Sequence, residues 1–194
     1  MILLKDLIPQ KLSEDLHAQA AEIRPSHQFS GFSNNFYSFM RDIENAAMVG
    51  YNKSTKTWLP HPSPEGGYPT IGYGHKIKSN SELERMKKGL SNSDVERLLK
   101  SDLEEALHKV HSYIKQTFKL NIPLDREQTE VLTEYAFNLG TLSGFPKFTE
   151  AIINKDWERA KKEYIVYSKD PKTKIKSPIP RRNPMVFNRY LKNK

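Results

Sequence analysis

Apolar residues recur at helical spacing along most of the chain and lose that spacing in one stretch, and this contrast sets out the molecule. Leu3, Leu4, Leu7, Leu12, Leu16, Ala20 and Ile23 come at roughly helical intervals, broken by Pro9, and predict a short helical arm. The run 25–35, rich in Ser, Asn, Gly and Pro, reads as a connector. Phe36, Phe39, Met40, Ile43 and Ala47 then form the stripe of one helix, with Gly50 as its stop. From Tyr51 to His75, Tyr, Trp, Thr and Ile are separated by Asn, Pro and Gly, which predicts short strands and turns.

Helical spacing returns downstream. Ser91 followed by Asp94 is a helix start, and Val95, Leu98, Leu99, Ala106, Leu107, Val110 and Ile114 mark one long amphipathic helix reaching about Phe118. Asp125 with Gln128 repeats the start signal. Val131, Leu132, Tyr135, Ala136 and Leu139 supply the stripe, and Gly140 is placed to cap its end. Short helices are expected near 148–153 and 157–164, a Lys- and Pro-rich loop over 171–184, and a last helical turn or two over 185–191. The fold class predicted is α+β: a lobe of helix and small β-hairpin or sheet over 36–80, then a mostly helical lobe over 90–194, with 1–35 as arm and connector.

Composition narrows the chemistry. With 37% hydrophobic and 28% charged residues in 194, the chain is expected to bury a core of its own. The absence of Cys removes disulfides, thiolate nucleophiles and Cys-ligated zinc. Lys5 and Asp6 interrupt the apolar start before a signal-peptide core could form, and no transmembrane span is readable. The formal charge of +8 is clustered: from Tyr164 onward nine Lys and Arg face Asp170 alone, while the rest of the chain is neutral. Such a segment suits an anionic partner or is merely a solvated surface.

Glu44 borders the apolar stripe of its helix, next to Ile43 and one turn beyond Met40. Partial desolvation there would raise a carboxyl's pKa, as a general acid requires, although most such glutamates are ordinary surface residues. The segment Pro64-Glu65-Gly66-Gly67-Tyr68-Pro69-Thr70-Ile71-Gly72-Tyr73-Gly74-His75 follows, with four glycines suited to a tight hairpin facing a cleft. No His-Glu-x-x-His set, nucleophile elbow or phosphate loop accompanies it, so neither metal nor cofactor is implied.

A helix ending in a Glu, then Thr-Ile-Gly-Tyr-Gly-His, resembles the active-site lobe of the phage-type lysozymes, the muramidases or endolysins. Ala136-Phe137-Asn138-Leu139-Gly140 resembles the family's Phe-Asn-x-Gly element, and Pro180-Arg181-Arg182 its C-terminal Arg-Arg turn. The resemblance covers roughly 36 to 192 and implies a lysozyme-like fold. It makes Glu44 the catalytic acid and Thr70 the hydroxyl that helps hold the attacking water. His75 becomes a structural or substrate-cleft residue, and Phe137 and Asn138 become the cleft wall opposite the acid, although plain core packing serves Phe137 equally well. The family's second carboxylate, an Asp six positions before the Thr, is here Pro64. The adjacent Glu65 is the substitute expected, its alternative being an exposed Glu in a turn. Residues 52 to 63 look like an insertion whose Trp58, His61 and prolines would extend a hairpin tip over the substrate.

The activity implied is hydrolysis of the β-1,4 bond between N-acetylmuramic acid and N-acetylglucosamine by two carboxyls in unlike environments, with inversion. Two alternatives stay open: a lytic transglycosylase, which needs one Glu, and a non-catalytic wall-binding protein on the same fold. The partner expected is bacterial peptidoglycan, not nucleic acid, acted on by a monomer. It would be made in the host cytoplasm and act after release, or travel with the virion.

Overall fold

The computed structural model describes residues 31–63, 67–120, 122–169, 173 and 175–194. The helical arm and most of the connector expected before Phe36, together with Glu65, lie outside the described residues. The chain divides into two compact units, Ser33–Ala106 and the stretch from Leu107 to Lys194.

The first unit opens with α1 (Asn34–Asn45), capped by the Ser33 side chain, which accepts the Phe36 backbone N–H. Phe36, Phe39 and Met40 are buried, as their spacing predicts. The helix stops at Asn45 rather than at Gly50. The Asn45 side chain accepts the Val49 N–H at 2.8 Å and donates to the Val49 carbonyl at 3.0 Å, turning the backbone out of the helix. Ala47 of the expected stripe is therefore exposed beyond the helix.

Two short antiparallel hairpins follow. The first pairs β1 (Tyr51–Asn52) with β2 (Thr57–Trp58), and the second pairs β3 (Thr70–Ile71) with β4 (His75–Lys76). Backbone bonds between His61 and Thr70, 2.9 Å in both directions, join the stretch after β2 to β3. Trp58, expected over the substrate, is instead 1% exposed. It packs with Ile71, Ile77, Met86 and Val95 in a core cluster, its ring lies between Tyr51 and Tyr73, and its indole N–H donates to Asn92 Oδ1 at 2.8 Å. Burying so large a ring outweighs exposing it, provided that the indole N–H finds an acceptor.

A short helix not foreseen from the sequence, α2 (Asn80–Met86), is capped by Ser79 and sends Leu83 and Met86 to this cluster. Then comes α3 (Asn92–Thr117), which runs through the division between the units. It starts where the Ser and Asp predict. Asp94 N–H donates to Ser91 Oγ at 3.2 Å and Ser91 N–H to Asp94 Oδ2 at 3.0 Å, a reciprocal cap.

In the second unit, α4 (Arg126–Leu139) has the predicted capping box between Asp125 and Gln128, and Gly140 ends it in the left-handed conformation at φ +73°. Every residue from Gln128 to Ala136 is buried, so this helix is covered on all sides and its acidic side chains need partners. Around it lie α5 (Pro146–Ile153), α6 (Trp157–Glu163) and α7 (Arg182–Val186), the last continuing as a π-helical turn, Phe187–Leu191. Tyr135 stacks on Phe148 with ring centroids 4.2 Å apart. Within the Lys- and Pro-rich stretch, expected to be a loop over 171–184, Lys176–Pro178 forms a strand, β6, that pairs with β5 (Tyr167–Lys169) just before the stretch and is exposed throughout, and Arg182 onward is helical.

The charge cluster is partly spent inside this unit. Arg182 donates to Glu134 at 2.6 Å, Arg189 to Glu130 at 3.2 Å and Lys194 to Glu127 at 2.7 Å, so three of the nine cations face carboxylates spaced along α4.

Candidate active site

Glu44 is the last residue but one of α1 and is half-buried. Its carboxyl rests on the β3–β4 turn: a Cβ built on Gly74 would stand 3.2 Å from Glu44 Oε2. A side chain there would press on the carboxyl at less than ordinary van der Waals distance, and Gly74 also holds φ at +87°. Gly72, at φ +65°, makes the second close approach, since a Cβ there would collide with the Val95 side chain of α3. The Thr-Ile-Gly-Tyr-Gly-His pattern is thus a turn pressed between α3 and the acidic end of α1.

Side-chain hydrogen bonds help to hold α1 to this frame. Asn45 Nδ2 donates to the Gly72 carbonyl at 2.7 Å, and the bond is buried. One turn earlier, Arg41 forms a bidentate pair with Glu96 of α3, both bonds 2.7 Å.

The far strand of the hairpin is fastened by His75. Its Nδ1 lies 2.8 Å from Asp102 Oδ2 on α3, and its Nε2 lies 3.4 Å from Glu82 Oε1 on α2. The bond to Asp102 raises the pKa of His75 above its ordinary value, against the opposing effect of burial and with Glu82 adding to the rise. Burial works to raise Glu82, but the Lys78 backbone N–H and the His75 ring bring its pKa below the ordinary value. Thr70 is buried at 6% exposure on the near strand, its backbone taken by His61. Pro60, His61 and Pro62 line a pocket of about 580 Å³ together with Leu83 of α2 and Lys87 just after it.

Phe137 and Asn138 stand on the last turn of α4, Phe137 half-buried and Asn138 exposed. Asn138 Nδ2 donates to Glu134 Oε1 at 2.9 Å, while Glu134 Oε2 accepts from Arg182, whose guanidinium lies 4.3 Å from the centre of the Tyr135 ring. Burial raises the Glu134 pKa, and Arg182 opposes the rise.

Residues 53–184 match the phage lysozyme family. The chain belongs to that family. Membership carries a lysozyme-type, peptidoglycan-lysing function and places the protein among the glycoside hydrolases. Two solved structures share the fold of this phage lysozyme. One is the muramidase domain of SpmX from Asticaccaulis excentricus, 16% identical, with a TM-score of 0.57 over 84% of this chain and 95% of that one. The other is a variant of P22 lysozyme, 20% identical, with a TM-score of 0.51 over 80% of this chain and 94% of that one. No curated protein matches the sequence.

The family match begins downstream of Glu44, so the tie between Glu44 and the lysozyme hairpin is the contact with Gly74. Sequence reasoning missed Asn45, Asp102 and Glu134 in this phage lysozyme. Asp102 lies on the long helix beside Leu103 and four residues before Ala106, and nothing local marks it. Glu134 had one available signal, a carboxylate amid the apolar stripe Val131, Leu132, Tyr135 and Ala136, which a buried cation must match. Among the described residues, no helix is long and apolar enough to cross a membrane.

Proposed function

We propose that this phage lysozyme is a muramidase that hydrolyses the β-1,4 bond between N-acetylmuramic acid and N-acetylglucosamine, with Glu44 as its general acid. The observation that carries the reading is the seat of the Glu44 carboxyl on Gly74, at the turn of the hairpin that the sequence shares with the family pattern. In this reading Glu44, protonated, gives its proton to the glycosidic oxygen as the bond breaks. Thr70 and Glu65 act on the water side, and Phe137 and Asn138 contact the sugars. An inverting reaction would set the two carboxyls roughly 6.5–9.5 Å apart, leaving room for the water. His75 serves mainly to fasten the hairpin, because a sugar reaching either ring nitrogen would have to displace a carboxylate. Family membership fits an endolysin acting on the cell wall.

The test is mass spectrometry of the fragments released from purified peptidoglycan by the wild type and by Glu44→Gln. Reducing muropeptides from the wild type and none from the variant are expected. Anhydro-muropeptides, lighter by one water, would make the protein a lytic transglycosylase, and full activity in the variant would remove Glu44 from the chemistry.

A further inference from the structure

We infer that Asn45 is a positioning residue, which sets the Glu44 carboxyl against the hairpin turn by tying the end of α1 to the Gly72 carbonyl. The inference rests on the reading of Glu44 as the acid and goes beyond it. Asn45 is polar yet only 8% exposed, and its amide is used from both ends. Nδ2 donates to Gly72 at 2.7 Å and to Val49 at 3.0 Å, while Oδ1 accepts from Val49 at 2.8 Å.

The first of these bonds stands apart. The two bonds to Val49 are local and would end a helix anywhere, whereas the bond to Gly72 spans 27 residues and reaches the turn on which Glu44 rests. Gly72 is packed closely on Val95, so the bond anchors α1 to a braced point two residues before Gly74. Glu44 adjoins Asn45 in the chain, so a small shift in Asn45 passes directly to the carboxyl. The Arg41–Glu96 pair also joins α1 to this unit, but its side chains are 34% and 29% exposed and it acts one turn away. It supports the helix without setting the seat of Glu44.

General-acid catalysis depends steeply on position, and a misplacement of about 1 Å costs on the order of 10²-fold. The experiment compares Asn45→Ala with Arg41→Ala in the full chain, measuring kcat, KM and thermal unfolding on soluble peptidoglycan fragments. Asn45→Ala is expected to lower kcat by about 10²-fold with KM nearly unchanged. Arg41→Ala should lower the unfolding temperature while keeping kcat within a few-fold. A folded Asn45→Ala protein with wild-type kcat overturns the inference, as does an equal loss of kcat in both variants.

Asn45→Asp is the second variant, for use if the alanine variant does not fold. It keeps an acceptor for the Val49 N–H and loses the donor to Gly72 when ionised. Protonated, it regains an O–H donor, so its kcat relative to wild type is expected to recover as pH falls toward about 4. A ratio that stays flat with pH overturns the inference. Failure here is separable from failure of the proposed function: an active Glu44→Gln sinks the reading of the acid, whereas an inactive Glu44→Gln beside a normal Asn45→Ala sinks only the role of Asn45.

Discussion

Glu44 Oε2 stands 3.2 Å from the place where a Cβ on Gly74 would lie, so a methyl added at the hairpin turn would press on the carboxyl at the helix end. Gly74→Ala should therefore displace the carboxyl as well as strain a backbone held at φ +87°. Activity is expected to fall by about 10-fold or more, with a stability loss of about 1–2 kcal/mol. Gly140→Ala is the control, since φ is +73° there and nothing lies within 4 Å of the added Cβ. It should lose comparable stability and keep its activity. Equal activity in the two variants would show that Gly74 matters for its backbone alone.

His75 between Asp102 and Glu82 makes stability depend on pH. The folded pKa of His75 is raised, so its contribution is complete below the unfolded value of about 6.5 and is lost as pH rises through the folded pKa. Asp102→Asn is expected to cost about 1–2 kcal/mol near pH 6, as for a charge-assisted bond that is partly exposed. Denaturant titrations at pH 6 and pH 9 check this, and a gap between wild type and variant that widens toward pH 9 would contradict it.

Glu134 and Arg182 form a pair with side chains 0% and 5% exposed. Removing one partner strands a charge in the interior, so Glu134→Ala or Arg182→Ala should lose about 3–5 kcal/mol. Glu134→Leu combined with Arg182→Met should recover most of that loss, because the charge and its partner leave together. Urea unfolding of the three variants decides, and additive losses in the double variant would count against the pair as a unit.

Trp58 belongs to the core of the first unit. Trp58→Ala should cost about 3–5 kcal/mol, and Trp58→Phe about 1–3 kcal/mol, mainly through the volume lost from the core, since Asn92 is exposed and its Oδ1 can turn to water. Thermal unfolding measures both, and a marginal effect of the alanine variant would return this residue to the surface role its sequence context suggested.

Local rules made much of this legible. The starts of α3 and α4 and the Gly140 cap are set by side chains within a few residues of the backbone groups they satisfy, so residue identity predicts them. The hairpin beside Glu44 was legible because its glycines are demanded by close approach. The rest depended on distant partners. The burial of Trp58 has no local signal, because Tyr73 and Asn92, which contact it, are far along the chain. The β5–β6 hairpin was hidden because β6 has no buried face, and hence no alternation to read. Asn45 resembled any helix-ending Asn, since its bond to Gly72 closes a loop of 27 residues.

The carboxylates of α4 also bear on the order in which the second unit folds. Glu134, Glu130 and Glu127 meet their cations 48, 59 and 67 residues later. During synthesis α4 emerges before Arg182 and Arg189, the cations that its buried Glu134 and Glu130 face, and those carboxylates are expected to stay hydrated until these residues have been made. The helix is thus expected to form early by its caps and to dock late by its charges. Pulse-labelled hydrogen exchange during refolding should accordingly show core-level protection in α4 rising together with that of residues 182–191, and not before.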